Sequence, residues 1–135
     1  MEKKLVIPVD EAICGPLHGG AGTFRILVDN EICGAEKMSL LVNTAKAGAI
    51  GKAHTHEQEH CWYILSGTAT MYIGEKIFKI GPNMAVFTPP NTLHKMVVDQ
   101  ELDMTYVVIY APPGPEQKLK SKGVNAFEDT AGEIK

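Results

Sequence analysis

The sequence has few of the features that mark secreted, membrane-spanning or nucleic-acid-binding proteins. Its three cysteines, Cys14, Cys33 and Cys61, are an odd number without CxxC spacing, so we expect free thiols and no disulfide framework. No apolar run approaches the roughly 20 residues that span a bilayer, and the first residues are followed by Asp10 and Glu11, unlike a secretory signal. A net charge of -3 gives no reason to expect nucleic acid or an anionic membrane as a partner. We therefore expect a cytoplasmic protein.

Helical periodicity is also lacking, because no interval repeats apolar residues every 3.6 positions over three turns. Apolar and β-branched runs recur instead at short intervals, separated by turn formers such as Ser66-Gly67 and Gly81-Pro82. This pattern predicts an all-β protein whose short strands close into a sandwich or barrel. The eight predicted strands are 23–28, 38–44, 61–65, 68–73, 77–80, 85–88, 94–98 and 104–111.

A chain of 135 residues is about one domain long, and we expect a single domain over 1–135 with its barrel core at about 23–111. The remainder, 112–135, begins with Pro112-Pro113-Gly114-Pro115 and is mostly polar. It is predicted to be a tail or to contain one short helix.

Four of the five histidines, His54, His56, His60 and His94, lie in the middle of the chain. Alternate residues of a strand share a face, so His54 and His56 can direct two nitrogens to one metal. His60 and His94 each begin a predicted strand and are expected to reach the same point. Since imidazole is the commonest ligand of such ions, one divalent transition metal per chain is predicted. Glu59 is the alternative to His60 as the fourth ligand.

With these histidines the sequence resembles the cupin family, whose first motif is a Gly, five residues, His-x-His, three or four residues, Glu, six residues and Gly. Gly48 and Gly67 fall on its glycines, and His60 stands where the family has Glu. The second motif, with a Pro-x-Gly-x-x-His core, is met by Pro89, by Asn91 in place of Gly, and by His94. Its leading Gly is displaced to Gly81 and its last Asn is Val98.

The resemblance implies a double-stranded β-helix, or jelly-roll, barrel of about eight or more strands with the metal inside one end. It also implies manganese or iron as the usual occupant of a four-histidine site, with nickel and zinc as further possibilities. Four neutral imidazoles leave the site charge near +2, against about +1 when one ligand is a carboxylate. Two open positions on an octahedral ion suit a small carboxylate, enolate or diol, or a substrate together with dioxygen.

Strand parity predicts the side chains around the metal. If His60 and His94 face the interior, so do the residues two and four positions after each, which makes the cavity mostly apolar with one indole. These residues are Trp62, Ile64, Met96 and Val98. Tyr106 and Tyr110, on the last predicted strand, have two interpretations, and packing in the core or at a subunit interface is favoured over a role in proton transfer.

Three further residues are candidates for a catalytic role. Arg25, the only arginine, is either a solvated strand residue or an anchor for a substrate carboxylate. Glu59 and His18 are the candidate general bases, and His18 would have to be carried to the substrate by a mobile amino-terminal segment.

The sequence favours a metal-dependent enzyme acting on a small oxygenated molecule, anionic or carbonyl-containing, with a dioxygenase as the leading hypothesis. A redox-neutral lyase or isomerase and a non-catalytic ligand-binding module are the alternatives, because one fold hosts all three. A homodimer is also expected, since Cys61, Tyr63 and Leu65 form an apolar stripe opposite Trp62 and Ile64.

Overall fold

The computed structural model describes residues 2–122. Nine strands and two short helices follow the order β1 (Ile13–Pro16), β2 (Gly22–Val28), α1 (Asn30–Cys33), β3 (Ser39–Ala45), β4 (Glu59–Ser66), β5 (Ala69–Ile73), β6 (Lys76–Ile80), β7 (Ala85–Thr88), β8 (His94–Val98), β9 (Met104–Ala111) and α2 (Pro115–Lys122). Single 3-10 turns lie at Val9–Glu11 and His18–Gly20.

The strands form two sheets. A six-stranded sheet has the order β1-β2-β3-β9-β4-β7, and a three-stranded sheet has the order β6-β5-β8. Within both sheets neighbouring strands are antiparallel. Buried and more exposed residues alternate along most strands, as expected of sheets with one face toward a core.

The core contains side chains from both sheets. Ile26, Leu41 and Val108 come from the larger sheet, and Met71 and Met96 from the smaller. All five are 2% exposed or less, so the residues that alternate with them point away from the core. This parity determines which side of β4, β8 and β9 faces the site described below.

Gly67, in the turn between β4 and β5, has a positive φ of 84°. A Cβ built there would lie 2.6 Å from the Asp103 carbonyl oxygen, so no larger residue fits without a backbone shift. The glycine that ends the first cupin motif is therefore required by the turn.

The all-β class and the jelly-roll architecture predicted from the sequence are confirmed. β1 was not predicted, because Gly15 and Pro16 obscure its pattern. The segment that carries His54 and His56 is an extended loop with an isolated bridge at His54, although the parity argument treated it as a strand.

The carboxyl-terminal region contains the short helix that was one of its two predicted forms, since α2 covers Pro115–Lys122. The rest of that region, 123–135, lies outside the described residues. No helix within 2–122 has both the length and the apolar character needed to cross a membrane.

Candidate metal centre

Residues 49–54 run alongside β8 and bring His54 opposite His94. The Val98 amide donates to the Ala49 carbonyl at 2.9 Å, and the Gly51 amide donates to the Met96 carbonyl at 2.8 Å. His54 and His94 exchange two backbone hydrogen bonds of 3.0 Å, which makes them direct neighbours across the bridge. Their ring centroids are 4.4 Å apart.

His56 is positioned by the turn that precedes β8. The Asn91 amide donates to the His56 carbonyl at 2.8 Å. Asn91 has a φ of 58°, a left-handed conformation that Asn tolerates better than other residues with a side chain. Asn can therefore stand where the second cupin motif has Gly.

Each of these three imidazoles is oriented by a backbone carbonyl. Nδ1 lies 2.8 Å from the Lys52 oxygen in His54, 3.0 Å from the Gln58 oxygen in His56 and 2.9 Å from the Thr92 oxygen in His94. A carbonyl only accepts, so each Nδ1 carries the hydrogen and each Nε2 keeps its lone pair. Fixing a histidine tautomer through its second nitrogen is the usual support for a metal ligand.

The three histidines converge. One ligand nitrogen from each of His54, His56 and His94 lies within 4.8 Å of the other two. The Nε2 atoms of His56 and His94 are buried and have no hydrogen-bond partner. Buried polar atoms without partners are costly, and a cation between these nitrogens would satisfy them. The donor set therefore fits a transition metal.

His60 lies beside this group but is supported differently. It faces inward from β4, is 2% exposed, and lies between the rings of Trp62 and Tyr110, each with its centroid 4.4 Å away. Both of its ring nitrogens are buried and lack a hydrogen-bond partner. Its ring centroid is 5.2 Å from that of His56 and 5.6 Å from that of His94.

The environment keeps the buried imidazoles neutral. Burial lowers the pKa of His94 to about 4, partly offset by the hydrogen bond to Thr92. Burial also lowers the pKa of His56, to which repulsion from His54 and Lys118 adds, and it holds the pKa of His60 well below its usual value. Neutral imidazoles at neutral pH have the lone pairs that a metal requires.

The histidines open into a cavity of about 270 Å³, a volume that suits a small molecule. Its walls are mainly aromatic and aliphatic, from Trp62, Tyr106, Tyr110, Leu17, Met96, Val108 and Leu119. Trp62 and Met96 thus line the cavity as predicted. Ile64 and Val98 point inward but belong to the core, not to the cavity wall.

Some polar side chains of the wall are hydrogen-bonded to protein. The Trp62 indole donates to Thr88 Oγ1 at 3.2 Å. Asn43 accepts the Arg25 amide at 3.3 Å and also hydrogen-bonds the Tyr106 side chain. Burial raises the pKa of both Tyr106 and Tyr110, so their phenols stay protonated at neutral pH.

Two predicted catalytic residues lie outside the wall. Glu59 is the first residue of β4 and is exposed, on the face opposite His60. Arg25 alternates with the buried Phe24 and Ile26, and its Nη1 donates to Thr44 Oγ1 at 3.1 Å. Neither is among the described residues that line the cavity. The structure therefore does not bring these two together with the histidines.

His18 begins the 3-10 turn His18–Gly20, next to the cavity residue Leu17. Its side chain lies outside the part of the chain that the structure describes. The possible role of His18 as a base stays a prediction.

Sequence reasoning missed several cavity residues. Tyr106 and Tyr110 were interpreted as packing residues in preference to proton-transfer groups, yet both line the wall, and Tyr110 is the cross-strand partner of His60. Asn43, Gln58 and Lys118 were not considered. The alternation of inward and outward residues along β9 could have predicted that the two tyrosines face the cavity. No signal in the sequence predicted this for Lys118, which lies on a helix far along the chain.

Part of the sequence is similar to a larger curated enzyme. Over 55 residues the chain is 40% identical to mannose-1-phosphate guanylyltransferase RfbM of Salmonella typhimurium, strain LT2. The match covers 39% of this chain but only 11% of that enzyme. The chain thus spans a small fraction of this relative.

Solved structures share the fold at low identity. The polyketide cyclase RemF of Streptomyces resistomycificus superposes with a TM-score of 0.70 at 22% identity, covering 85% of this chain and 82% of that one. Oxalate decarboxylase of Bacillus subtilis, a protein with Mn(II) centres, gives a TM-score of 0.73 at 16% identity, covering 87% of this chain and 32% of the other. At these identities the likeness is one of fold.

The family model for the cupin domain matches residues 41–110, a range that contains His54, His56, His60 and His94 and most strands of both sheets. The motif spacing, the two-sheet barrel and this match agree. The chain belongs to the cupin family.

Proposed function

We propose that this chain binds one divalent transition metal through His54, His56, His94 and His60 and acts on a small oxygenated organic molecule. Backbone carbonyls hold each of the first three imidazoles in one tautomer, in which the Nε2 lone pair is available to the metal. His60 is proposed as the fourth ligand because both of its buried nitrogens lack a partner. Manganese or iron is the proposed occupant, which the fold shared with a Mn(II)-containing oxalate decarboxylase supports; nickel and zinc fit the same nitrogens.

A divalent ion in this site supplies Lewis acidity and, if it is manganese or iron, one-electron redox chemistry. The protein contributes the surroundings. Trp62 and Tyr110 pack on the two faces of His60 and hold its ring in place. The aromatic and aliphatic side chains of the wall limit the contact of the histidine cluster with bulk water.

Oxygen insertion is the reaction that this wall supports best. The described lining contains no Asp or Glu, and burial keeps its two tyrosines protonated, so the only side chains in it suited to take a proton at neutral pH are the histidines proposed as metal ligands. A dioxygenase whose substrate supplies all four electrons for the reduction of O₂ adds both oxygen atoms to that substrate and needs no external reductant. The absence of an acidic residue from the described lining is the observation that carries this proposal.

Isotope labelling tests the reaction class. The manganese- or iron-loaded protein is incubated under ¹⁸O₂ with small enolisable carbonyl compounds and diols, and the products are analysed by mass spectrometry. Incorporation of two ¹⁸O atoms into one product, with matching oxygen consumption, supports a dioxygenase. Turnover that proceeds equally under argon contradicts it.

A redox-neutral lyase or isomerase is the second candidate, favoured by the fold likeness to the polyketide cyclase RemF. Such a reaction needs a base near the substrate. Of the two predicted bases, Glu59 is exposed on the other side of β4 and does not line the cavity. His18 is therefore the base proposed for this reaction. Anaerobic turnover that is lost in His18→Ala supports this candidate, whereas metal-dependent binding without turnover in air or argon indicates a ligand-binding module.

The chain is also proposed to be a homodimer through the outer face of the six-stranded sheet. Tyr63 and Phe87 are 42% and 53% exposed there. The strand register aligns eight apolar residues in two rows, Leu40–Ile109–Cys61–Phe87 and Val42–Val107–Tyr63–Ala85. These rows contain no charge, so two copies can cover each other through the same face.

A further inference from the structure

Four aromatic rings form a column on the inner side of the six-stranded sheet, and His60 is the second of them. In order they are Tyr110, His60, Trp62 and Tyr106. Successive ring centroids lie 4.4, 4.4 and 5.2 Å apart, with angles of 33°, 25° and 28° between the ring planes. An imidazole binds a metal through a lone pair that lies in the plane of its ring. The column therefore determines the plane in which His60 can reach an ion.

Stacking alone leaves a ring some freedom, because aromatic pairs accept a range of offset arrangements. A hydrogen bond from the edge of the ring removes that freedom. The Trp62 indole makes such a bond, since its Nε1 donates to Thr88 Oγ1 at 3.2 Å. Trp62 is buried, so loss of this acceptor would leave a buried N–H group without a partner. The contact with Thr88 thus fixes how the indole lies against His60.

Thr88 has a hydroxyl where packing alone does not require one. It is the last residue of β7, is fully buried, and lies directly opposite His60 in the strand register. Val86, two residues earlier on the same face, lies opposite Trp62. Valine differs from threonine mainly in lacking the hydroxyl, so a second valine could fill this position. The hydrogen bond to the indole gives the hydroxyl its purpose.

Thr88 can influence the site only through its neighbours, because it is not among the described residues that line the cavity. Trp62 does line it and stacks on His60. The far end of the column is held from another strand, since the Tyr106 side chain hydrogen-bonds Asn43 on β3. The indole is therefore the ring that connects His60 to β7.

We propose that Thr88 is a positioning residue for the metal centre: its hydroxyl fixes the Trp62 indole, and the indole fixes the plane of the His60 imidazole. This inference rests on the proposed function, because it requires His60 to be a metal ligand. The other three histidines do not depend on Thr88, since backbone carbonyls orient them. Thr88 acts on the fourth ligand alone.

Manganese affinity of Thr88 variants tests the hydroxyl, measured by titration against a competing chelator. Thr88→Val is expected to lower the affinity about tenfold, the lower end of the range for residues that support a ligand directly. Thr88→Ser keeps the hydroxyl and should bind like the wild type. Thr105→Val is the matched control and should have no effect. It removes a threonine hydroxyl that lies 3.4 Å from Thr44 Oγ1, on strand β9 of the same sheet.

The metal-free protein gives a second readout, because Trp62 is the only tryptophan in the chain. Time-resolved fluorescence anisotropy should show a fast local component in Thr88→Val that is weak in the wild type, in Thr88→Ser and in Thr105→Val. A Thr88→Val protein with unchanged anisotropy would show that the hydroxyl does not hold the indole, and this result overturns the inference.

A double-mutant cycle tests whether the effect passes through the indole. Trp62→Phe keeps an aromatic ring but has no N–H group for Thr88 to hold, so it should itself lose about tenfold in manganese affinity. Adding Thr88→Val to Trp62→Phe should cause no further loss. An equal loss from Thr88→Val in both backgrounds, or a Trp62→Phe variant with wild-type affinity, overturns the inference.

The outcomes distinguish this inference from the proposed function. A wild type that binds manganese, with a Thr88→Val variant that binds it equally well, overturns the inference alone. So does a Thr88→Ser variant that binds as weakly as Thr88→Val, since the hydroxyl would then not be the determinant. A His60→Ala variant with wild-type affinity overturns the fourth ligand and this inference with it, and a wild type that takes up no manganese overturns the metal site as a whole.

Discussion

His54, His56 and His94 lie on or beside the smaller sheet, and each has Nδ1 hydrogen-bonded to a backbone carbonyl. His60 lies on the larger sheet, where aromatic rings contact both faces of its ring and neither nitrogen has a partner. The first group is oriented by the backbone whether or not an ion is present. His60 is held by shape alone and carries unsatisfied polar atoms until something binds them.

This difference separates pre-organisation from dependence on a ligand. Three imidazoles that the backbone already orients cost little further entropy when a metal binds. If His60 is the fourth ligand, as proposed, it gains most from the ion, because its burial is compensated only then. The following predictions examine this division, beginning with the largest expected effect.

Removing a backbone-oriented histidine should abolish metal binding. His94→Ala takes away both a ligand nitrogen and the bridge-facing side chain opposite His54, and we expect the affinity for manganese to fall by more than about 100-fold. Metal content after dialysis, measured by elemental analysis, reports the loss. His18→Ala is the control and should retain one ion per chain; equal retention by His94→Ala would show that the cluster is not the metal site.

The two faces of the larger sheet offer a second contrast. Its inner face lines the histidine site, whereas its outer face is apolar. Tyr63→Lys places a charge in the centre of the outer rows, and in a symmetric dimer the two charges come close together. We expect a mass near 14.7 kDa by sedimentation at micromolar concentration, half that of the wild type. Lys76→Ala, away from these rows, should leave the dimer intact.

A monomeric wild type at micromolar concentration would contradict the dimer directly. Metal content of Tyr63→Lys should stay unchanged, because Tyr63 points away from the cavity that His60 faces. A parallel loss of metal would show that the two faces are not independent.

His60→Phe should stabilise the metal-free protein. Phenylalanine keeps the aromatic contacts with Trp62 and Tyr110 and removes two unsatisfied nitrogens, so the free energy of unfolding should rise by about 1 kcal/mol. Urea unfolding with EDTA present measures this. His94→Phe is the matched variant and should show no gain, because it also loses the hydrogen bond to Thr92.

With manganese added, the wild type should become more stable than His60→Phe, because it gains more free energy of unfolding from binding the ion. A metal-free His60→Phe protein that is less stable than the wild type would show that His60 has an important partner without the ion.

Exchanging the fourth ligand should have the smallest effect on metal content. His60→Glu is expected to keep the ion while lowering the site charge, so that the affinity for oxalate falls several-fold. Glu59→Gln should change neither metal content nor oxalate binding, because Glu59 is exposed on the opposite face of β4. If Glu59→Gln loses the metal and His60→Ala does not, the fourth ligand is a carboxylate.

The histidine cluster could be predicted because its signals are local. His54 and His56 are two residues apart, and the turn at Asn91 lies three residues before His94. Short-range geometry and a known motif therefore predict three of the candidate ligands. The inward direction of Trp62 followed from that of His60 by parity alone.

The remaining wall depends on contacts that are distant in sequence. Tyr110 meets His60 because β9 pairs with β4 in one particular register, which periodicity cannot select. Lys118 lines the cavity because of where α2 lies on the barrel. That helix is held there in part by the hydrogen bond from Ser39 to Glu116, two residues that are 77 positions apart in the sequence. Arg25 shows the limit of parity, since its strand could be read with either face inward until the buried Phe24 and Ile26 settled the matter.

A crystal structure of manganese-loaded protein, with anomalous difference density recorded near the manganese edge, tests the central claim most directly. The account predicts one peak per chain at about 2.2 Å from a nitrogen of each of His54, His56, His94 and His60. A peak bound by the first three with the Glu59 carboxylate as its fourth ligand, or no peak among these residues, would contradict it.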